Sequence, residues 1–225
     1  MPVHFYYILV GIIAYLLGSL NFSLIVSHFV FRKDIREYGS KSAGATNSLR
    51  MMGKKWAAVI SLGDFAKGAG AVLIGQAIMY GLDRGGFGVG EDPMLWGQAI
   101  AGLFVIVGHM YPVFFGFRGG KSVWTTGGVI AIFDWRVVIV CLVVFVIIVI
   151  LTRYVSLGSM LAGIAAPIAM WLFNRGCDEA DYFIVVTAIL CLLVVVKHYQ
   201  NIGRLLKGTE NKLSLRRKKT PEREM

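Results

Sequence analysis

Residues 137–151 read VVIVCLVVFVIIVIL, a run in which every side chain is apolar. A helix on the surface of a soluble domain does not have this composition, because its outer face needs polar residues. The chain of 225 residues is 56% hydrophobic and only 16% charged, which leaves too few charges to cover a globular surface. The run therefore indicates a segment that crosses a lipid bilayer.

Six further apolar runs accompany this one. They are Phe5–Phe31, Trp56–Tyr80, Leu95–Phe115, Val123–Phe133, Val155–Phe173 and Tyr182–Val196. The pattern predicts an all-α polytopic membrane protein with seven transmembrane helices. Val123–Phe133 is short, since 11 helical residues cover only about half of a roughly 30 Å hydrocarbon core. We expect this fourth helix to be tilted, longer at its ends or partly re-entrant.

The basic residues indicate how the chain is oriented. Segments 32–55, 116–121, 152–155 and 197–225 hold seven, two, one and nine Lys and Arg residues, which is 19 of the 23 in the chain. Cytoplasmic loops of membrane proteins are enriched in Lys and Arg, so these four segments are predicted to be cytoplasmic. The N-terminus is then outside and the C-terminus cytoplasmic.

The formal net charge of +10 would suggest a nucleic-acid partner in a soluble protein. In a membrane protein the same charge is explained by topology, so we expect no nucleic acid. Residues 1–200 are predicted to form the membrane domain, and 201–225 a basic cytoplasmic tail with a disordered end. The charge also suits anionic headgroups and phosphorylated substrates.

The first cytoplasmic segment contains small and polar residues that could bind an anion. It reads Gly39-Ser40-Lys41-Ser42-Ala43-Gly44-Ala45-Thr46-Asn47 and is followed by Arg50. Small residues permit tight turns whose N–H groups converge on an anion, and an Arg fork adds hydrogen bonds to phosphate oxygens. A solvated loop with capping Ser and Asn side chains is the other interpretation.

The second cytoplasmic segment ends in Gly119-Gly120-Lys121, immediately before the short fourth helix. Glycines and a lysine at a helix N-terminus are a favourable site for an anion. Two basic residues that mark a membrane boundary would give the same pattern. His109, at the end of the preceding run, is predicted to be an interfacial histidine without a catalytic role.

Polar residues also cluster in the last two cytoplasmic segments. Ser156 and Ser159 are neighbours on one helical turn, and His198 and Asn201 share a face if the last helix continues. Inside the second run, Asp64 and Lys67 are three residues apart and are predicted to pair with each other.

Ligand spacing for a metal and a Ser-His-Asp pattern are both missing from these segments, so we expect no metal and no cofactor. Anion-binding groups beside a lipid phase indicate a phosphorylated substrate at the membrane surface. A transporter of a phosphorylated solute is the alternative, and Asp64 with Lys67 would be its mid-membrane charges.

Four stretches of the chain resemble motifs of the PlsY family, the bacterial glycerol-3-phosphate acyltransferases that use an acyl phosphate donor. They are Tyr15-Leu16-Leu17-Gly18-Ser19; Gly39-Ser40 with Gly44-Ala45-Thr46-Asn47 and Arg50; GHMYPVFFGFRGGK at 108–121; and Arg153-Tyr154-Val155-Ser156. His198, Asn201 and Glu210 extend the match, which covers nearly the whole chain. The stretch at 108–121 is highly specific.

The resemblance implies a seven-helix membrane acyltransferase domain with its site on the cytoplasmic loops. Its reaction moves a fatty acyl group from acyl phosphate to the 1-hydroxyl of glycerol 3-phosphate, giving lysophosphatidic acid and phosphate. Matching motifs residue by residue implies a catalytic set of Ser40, Arg50, Lys121 and His198. It also implies a substrate-binding set of Ser42, Asn47, Gly119, Gly120, Ser156, Ser159, Asn201 and Glu210.

Each of these side chains has a chemical role in such a reaction. Lys121 and Arg50 are expected to bind phosphate, and Ser40 and Ser159 to supply hydrogen bonds. His198 and Asn201 are expected to contact glycerol phosphate. Because acyl phosphate is already activated, the enzyme mainly has to bind two anions and align hydroxyl with carbonyl.

Two stretches depart from the family pattern. Lys41 and Ser42 stand where the family typically has Gly and Asn, and Ser122 and Trp124 stand where it has Gly and Ala. These departures raise the alternative of a catalytically weakened paralogue with a binding or regulatory role. The resemblance also implies a multi-pass protein of the bacterial cell membrane, with its site facing the cytoplasm and possible contacts to other lipid-synthesis enzymes.

The charge distribution makes a direct prediction about topology. A reporter fused after Met225 should be cytoplasmic, and one inserted near Gly88 should be outside, because the basic segments are cytoplasmic. Accessibility of the two reporters in intact cells is the measurement. Finding both reporters on the same side would rule out seven spans.

Overall fold

The computed structural model describes residues 3–88 and 91–213, and within them the chain is all-α. The described ranges contain ten α-helices and two short 3₁₀ turns, Ile35–Glu37 and Val113–Phe115. The helices are α1 (Val3–Ser19), α2 (Phe22–Phe29), α3 (Ala45–Met52), α4 (Lys54–Arg84), α5 (Pro93–Met110), α6 (Val123–Phe133), α7 (Trp135–Thr152), α8 (Val155–Asn174), α9 (Ala180–Lys197) and α10 (Tyr199–Leu206). The predicted all-α architecture is confirmed. The end of the predicted tail, 214–225, lies outside the described residues.

Within the part of the chain that the structure describes, five helices are long and apolar enough to cross a membrane: α4, α5, α7, α8 and α9. The pair α1 and α2 meets the same criteria only as one bent span, with an angle of 42° at the break. Helix α6 has 11 residues and is too short to cross unaided. A multi-pass membrane fold follows, and the count of seven spans stays a prediction.

The first predicted span, Phe5–Phe31, is wrong as a single helix. The structure ends α1 at Ser19 and starts α2 at Phe22. Asn21 causes the restart, because its Oδ1 accepts the backbone N–H of Leu24 at 3.2 Å and thereby caps α2. One polar residue in an apolar run was enough to divide it.

Helices α1 and α5 cross at very close range. A Cβ on Gly18 would collide with the backbone carbonyl of Val105, and a Cβ on Gly108 would collide with that of Tyr15. Small residues let helix backbones approach in this way, which supplies packing energy where lipid offers no hydrophobic driving force. Helix α4 packs on α1, α5 and α6, while α7 packs mainly on α8.

The apolar run at 137–151 lies within α7, at the edge of the bundle. Of its residues only Val137 is buried. Many of its other apolar side chains are exposed, and on the outside of the bundle hydrocarbon would solvate them. This explains why the run shows no polar face.

The four basic segments meet at one end of the bundle. Hydrogen bonds connect each to another: Arg36 Nη1 to Arg118 O at 3.0 Å, Lys121 Nζ to Asn201 Oδ1 at 2.5 Å, and Leu213 N to Arg153 O at 2.7 Å. The charge count predicts that the four segments lie on the same side of the membrane. In the fold they form one continuous surface.

A buried charge cluster lies just below this surface. Lys67 Nζ is 2.9 Å from Asp64 Oδ1, so the predicted ion pair is confirmed. The same ammonium donates to Gly18 O at 3.0 Å and Leu20 O at 2.9 Å, the carbonyls exposed by the break after α1. His109 joins the cluster and is buried among the helices, and its interfacial position stays a prediction.

Substituting Lys67→Met should destabilise the protein strongly. The variant keeps the volume of the stem but leaves Asp64 and two carbonyls without their donor, a loss of about 3–5 kcal/mol for a broken buried pair. Thermal unfolding in detergent measures the effect. Lys54→Met, at the exposed start of α4, is the control and should unfold near the wild-type temperature. Equal unfolding temperatures for both variants would contradict a stabilising role for the cluster.

Candidate active site

A cavity of about 210 Å³ lies where the four basic segments meet. Its polar lining includes Ser40, Ser42, Asn47, Arg50, Lys121, Ser156, Ser159, His198, Asn201, Glu210 and Asn211. Its apolar lining comes mainly from α6 and α7 and includes Trp124, Gly127, Val138, Cys141, Leu142 and Phe145. The cavity thus joins a cationic end at the surface to an apolar end between membrane helices. Among the described residues, no three His, Cys, Asp or Glu side chains are placed to hold a metal ion.

The side chain of Asn47 holds the first loop in shape. Its Nδ2 lies 3.1 Å from Ile35 O, 3.0 Å from Tyr38 O and 3.2 Å from Ser42 O, and its Oδ1 accepts Ser40 N–H at 3.0 Å. Both the donor and acceptor capacity of the amide are used by the backbone. Asn47, which we predicted to bind substrate, acts through the loop and places Ser40 at the cavity.

Arg50 reaches the cavity from the last turn of α3. Its Nη2 donates to Asn211 O at 3.3 Å, a long hydrogen bond to the C-terminal segment. Most of the donors of a guanidinium remain available after one such bond. Its role as a phosphate ligand stays a prediction.

Lys121 is the cation at the centre of the cavity wall. Its Nζ donates to Asn201 Oδ1 at 2.5 Å. Burial lowers the pKa of Lys121 to about 8, with Glu210 opposing the shift and Arg204 and Arg50 adding to it. At neutral pH the ammonium is mostly protonated, so it can neutralise a phosphate.

The glycines before Lys121 have a structural role that sequence reasoning did not assign. Gly119 N–H donates to Met110 O at 3.1 Å and Gly120 N–H to His109 O at 3.2 Å. These N–H groups therefore do not form the anion cradle expected of them. A Cβ on Gly120 would collide with Ala43 O and His109 Nε2, so only glycine allows this approach. Helix α6 starts at Val123, so Lys121 precedes the helix.

His198 lies at the junction of α9 and α10. The predicted continuation of the last helix is interrupted here, since α9 ends at Lys197 and α10 starts at Tyr199. Its Nδ1 is 2.8 Å from Val194 O, which can only accept, so Nδ1 carries the proton and Nε2 is an acceptor. Burial and the neighbouring Lys121 lower the pKa of His198 to about 4, which keeps it neutral.

Glu210 accepts hydrogen bonds from three other residues of the site. Ser156 Oγ and Asn201 Nδ2 donate to its Oε1 at 2.8 and 2.6 Å, and Arg204 Nε donates to Oε2 at 2.7 Å. Burial would raise the pKa of Glu210, but these hydrogen bonds from Arg204, Asn201 and Ser156 outweigh it and hold the pKa below its ordinary value. Ser156 and Glu210, both predicted to bind substrate, are therefore hydrogen-bonded to each other.

Two serines predicted to bind substrate line the cavity with different partners. Ser159 Oγ donates to Val155 O within α8 at 3.0 Å, and its oxygen can still accept. The backbone carbonyl of Ser42 accepts a hydrogen bond from Asn47 Nδ2, and the residue is half-buried. Ten of the twelve predicted site residues line the cavity, and the other two, Gly119 and Gly120, donate their N–H groups to carbonyls at the end of α5.

Sequence reasoning missed the apolar part of the cavity and the role of Arg204. The four α7 residues that line the cavity, Val138, Cys141, Leu142 and Phe145, are indistinguishable by residue type from the lipid-facing ones beside them. Arg204 is not on the helical face predicted for His198 and Asn201. Its opposite charge to Glu210, six residues later, was the signal that could have indicated their pairing.

Comparisons with known proteins show the family of this chain. A family model described as glycerol-3-phosphate acyltransferase matches residues 8–208. The chain belongs to the glycerol-3-phosphate acyltransferase family. It is 38% identical over 206 residues to glycerol-3-phosphate acyltransferase 2 of Bacillus anthracis, covering 92% of this chain and 98% of that protein. The corresponding protein of Clostridioides difficile is 39% identical over 209 residues, with 93% and 96% covered.

Two crystal structures of PlsY, an integral membrane glycerol 3-phosphate acyltransferase, have a similar fold. The glycerol 3-phosphate form has a TM-score of 0.75 at 34% identity and covers 92% of this chain and 96% of that chain. The lysophosphatidic acid form has a TM-score of 0.73 at 33% identity, with 92% and 95% covered. The family resemblance and the membrane fold are thereby confirmed.

The departure at Lys41 produces local strain in this member of the family. Lys41 has φ of +56°, in the left-handed region that favours glycine. Lys41→Gly should therefore raise stability by about 1 kcal/mol, measured by thermal unfolding in detergent. The control is Lys33→Gly in the same segment, where φ is not positive and the change should not stabilise. A gain for Lys33→Gly as large as that for Lys41→Gly would contradict the strain.

Proposed function

We propose that this protein transfers a fatty acyl group from acyl phosphate to the 1-hydroxyl of glycerol 3-phosphate. The products are lysophosphatidic acid and phosphate, in the first step of phospholipid synthesis. The names of the relatives support glycerol 3-phosphate as the acyl acceptor. The two PlsY structures are described as glycerol 3-phosphate and lysophosphatidic acid forms. The acyl phosphate donor rests on the likeness to PlsY and on the chemistry of the cavity.

One observation carries this proposal: a single cavity has both a cationic and an apolar end. Arg50 and Lys121 stand at the first, and apolar side chains of α6 and α7 line the second. A phosphate group needs the charges, and a fatty acyl chain needs the apolar wall. The cavity therefore offers a binding surface for the phosphate groups of both substrates and for the acyl chain of the donor.

The mechanism is mainly one of positioning and charge neutralisation. His198 Nε2 is an acceptor and orients the 1-hydroxyl, while Asn201, held by Lys121 and Glu210, fixes the glycerol phosphate. The hydroxyl oxygen attacks the acyl carbonyl carbon, and the bond from that carbon to the phosphate oxygen then breaks. The hydroxyl proton leaves on the departing phosphate. Lys121 and Arg50 neutralise the phosphate charge, which is where electrostatic catalysis acts.

The two alternative functions are less well supported. A weakened paralogue would be expected to lose the polar groups, but Ser40, Arg50, Lys121, His198 and Asn201 all line one cavity. A transporter would need unpaired charge along its path, but Asp64 and Lys67 form an ion pair.

The orientation in the membrane is part of the proposal. Seven spans, counting the bent pair α1–α2 and the short α6, place the N-terminus outside and the cavity on the cytoplasmic side of the bacterial cell membrane. Support comes from the four basic segments, which are expected to be cytoplasmic and surround the cavity. Contacts with other lipid-synthesis enzymes would form on this surface.

The proposal is tested with purified protein and three acyl donors: acyl phosphate, acyl-CoA and acyl-carrier protein. Lysophosphatidic acid should form from acyl phosphate, with phosphate release that depends on glycerol 3-phosphate. Transfer from acyl-CoA alone would overturn the proposed donor, and no transfer from any donor would overturn the proposed activity.

The pH dependence of this transfer should reveal Lys121. Bound phosphate favours the ammonium and raises the pKa of Lys121 above its free-enzyme value of about 8. Binding therefore takes up a proton above pH 8, and the KM for the phosphate substrate should rise by up to about tenfold per pH unit there. Lys121→Arg should flatten this rise, because Arg stays charged, and Lys121→Ala should abolish transfer. An unchanged rise in Lys121→Arg would assign the titration to another group.

A further inference from the structure

The imidazole of His109 is buried at the base of the cavity and has one occupied nitrogen. The residue is 3% exposed and lines the cavity from the last turn of α5. Its Nδ1 lies 2.9 Å from Lys67 Nζ and 3.3 Å from Thr125 Oγ1. Its Nε2 has no hydrogen-bond partner among residues 3–88 and 91–213.

The contact with Lys67 decides where the imidazole carries its proton. Lys67 directs its three N–H groups at Gly18 O, Leu20 O and Nδ1. Asp64 Oδ1 is 3.4 Å from Nδ1 but has no hydrogen-bond partner among the described residues, so Nδ1 accepts from Lys67 and is unprotonated. The ammonium cannot turn away, because Asp64 and two backbone carbonyls also hold it. His109 is thus a neutral imidazole whose single proton is on Nε2.

This Nε2–H group is placed beside the proposed phosphate site. It lies against Gly120, where a Cβ would collide with it, and Gly120 immediately precedes Lys121. Asp64, the neighbour of His109, also lines the cavity. Because no protein group among the described residues accepts from it, the Nε2–H group is available to a ligand in the cavity.

We propose that His109 is a catalytic residue whose Nε2–H donates a hydrogen bond to the carbonyl oxygen of the acyl donor. This inference rests on the proposed function. The carbonyl is the expected ligand because the proposed function assigns the phosphate to Lys121 and Arg50, which also line the cavity. It is also the group that joins the phosphate to the acyl chain, so it lies between the cationic and apolar ends.

The donor acts while the new ester bond forms. As the glycerol hydroxyl oxygen bonds to the carbonyl carbon, an electron pair moves onto the carbonyl oxygen, and the Nε2–H hydrogen bond stabilises it. When the bond to phosphate breaks, the carbonyl reforms and the hydroxyl proton departs with phosphate. His109 neither gains nor loses a proton, as expected of an oxyanion donor.

Two amide substitutions separate this role from a structural one. His109→Gln keeps an N–H donor near the position of Nε2 but loses the contact with Lys67. His109→Asn keeps an acceptor near Nδ1 for Lys67 but loses the cavity donor. Losing one oxyanion donor lowers kcat by about 10²–10³-fold. We expect that loss for His109→Asn with KM nearly unchanged, and a kcat loss below about tenfold for His109→Gln despite its lower unfolding temperature.

The measurements are phosphate release from acyl phosphate with and without glycerol 3-phosphate, and thermal unfolding of each variant. A purely structural His109 predicts the reverse order, with His109→Asn the more active and the more stable variant, and that order would overturn the inference. If the wild type itself performs no transfer, the proposed function fails first, so the two failures are distinguishable.

A second measurement does not depend on turnover or on folding of the Asn variant. The carbonyl stretch of a non-hydrolysable acyl phosphonate, labelled with ¹³C, is recorded by infrared difference spectroscopy on the wild type. Hydrogen bonding should shift the stretch to lower frequency on binding, and His109→Gln should retain the shift. A bound carbonyl at its free frequency in the wild type would overturn the inference.

Discussion

The ammonium of Lys67 is the contact on which the rest of the structure depends. Helix α1 stops inside the membrane domain, and the carbonyls at its end lack helical partners. Each unsatisfied backbone group would cost several kcal/mol in hydrocarbon. Lys67 donates to two of these carbonyls, and Asp64 balances its charge. The helix break, the buried ion pair and the tautomer of His109 are therefore consequences of one arrangement.

From this cluster a chain of hydrogen bonds leads to the C-terminal segment. His109 O accepts Gly120 N–H, the next residue Lys121 donates to Asn201, and Asn201 donates to Glu210. Glu210 is bound in turn by Ser156 and Arg204. Because each link ends on a group held by another, Lys121 is positioned by membrane helices even though it lies in a loop. Such preorganisation avoids reorganisation when charge develops during a reaction.

The sequence revealed the parts of this protein that involve charge. Basic segments identified the surface that holds the cavity, and the three-residue spacing of Asp64 and Lys67 identified their pair. It could not reveal the break at Asn21, because a single amide in an apolar run is compatible with an unbroken span when neighbouring helices bind it. Nor could it show which side of α7 faces the cavity. Polar and apolar positions alternate in a helix only where water is on one side, and α7 has hydrocarbon there.

Among the described residues, six that are not glycine have positive φ, and three of them are at or within two residues of positions that line the cavity. Lys41, Ser122 and Arg153 all have φ between +56° and +63°, and each belongs to or borders a different basic segment. Such residues cost about 1–2 kcal/mol each and persist only where the surroundings hold them. Asn47 clamps the loop of Lys41, and Leu213 N–H binds Arg153 O at 2.7 Å. Hydrogen bonds therefore hold these residues in a backbone conformation that they would not adopt by themselves. The cavity is thereby ordered before any substrate arrives. Stability is lowered at the positions where a catalyst gains most from a fixed geometry.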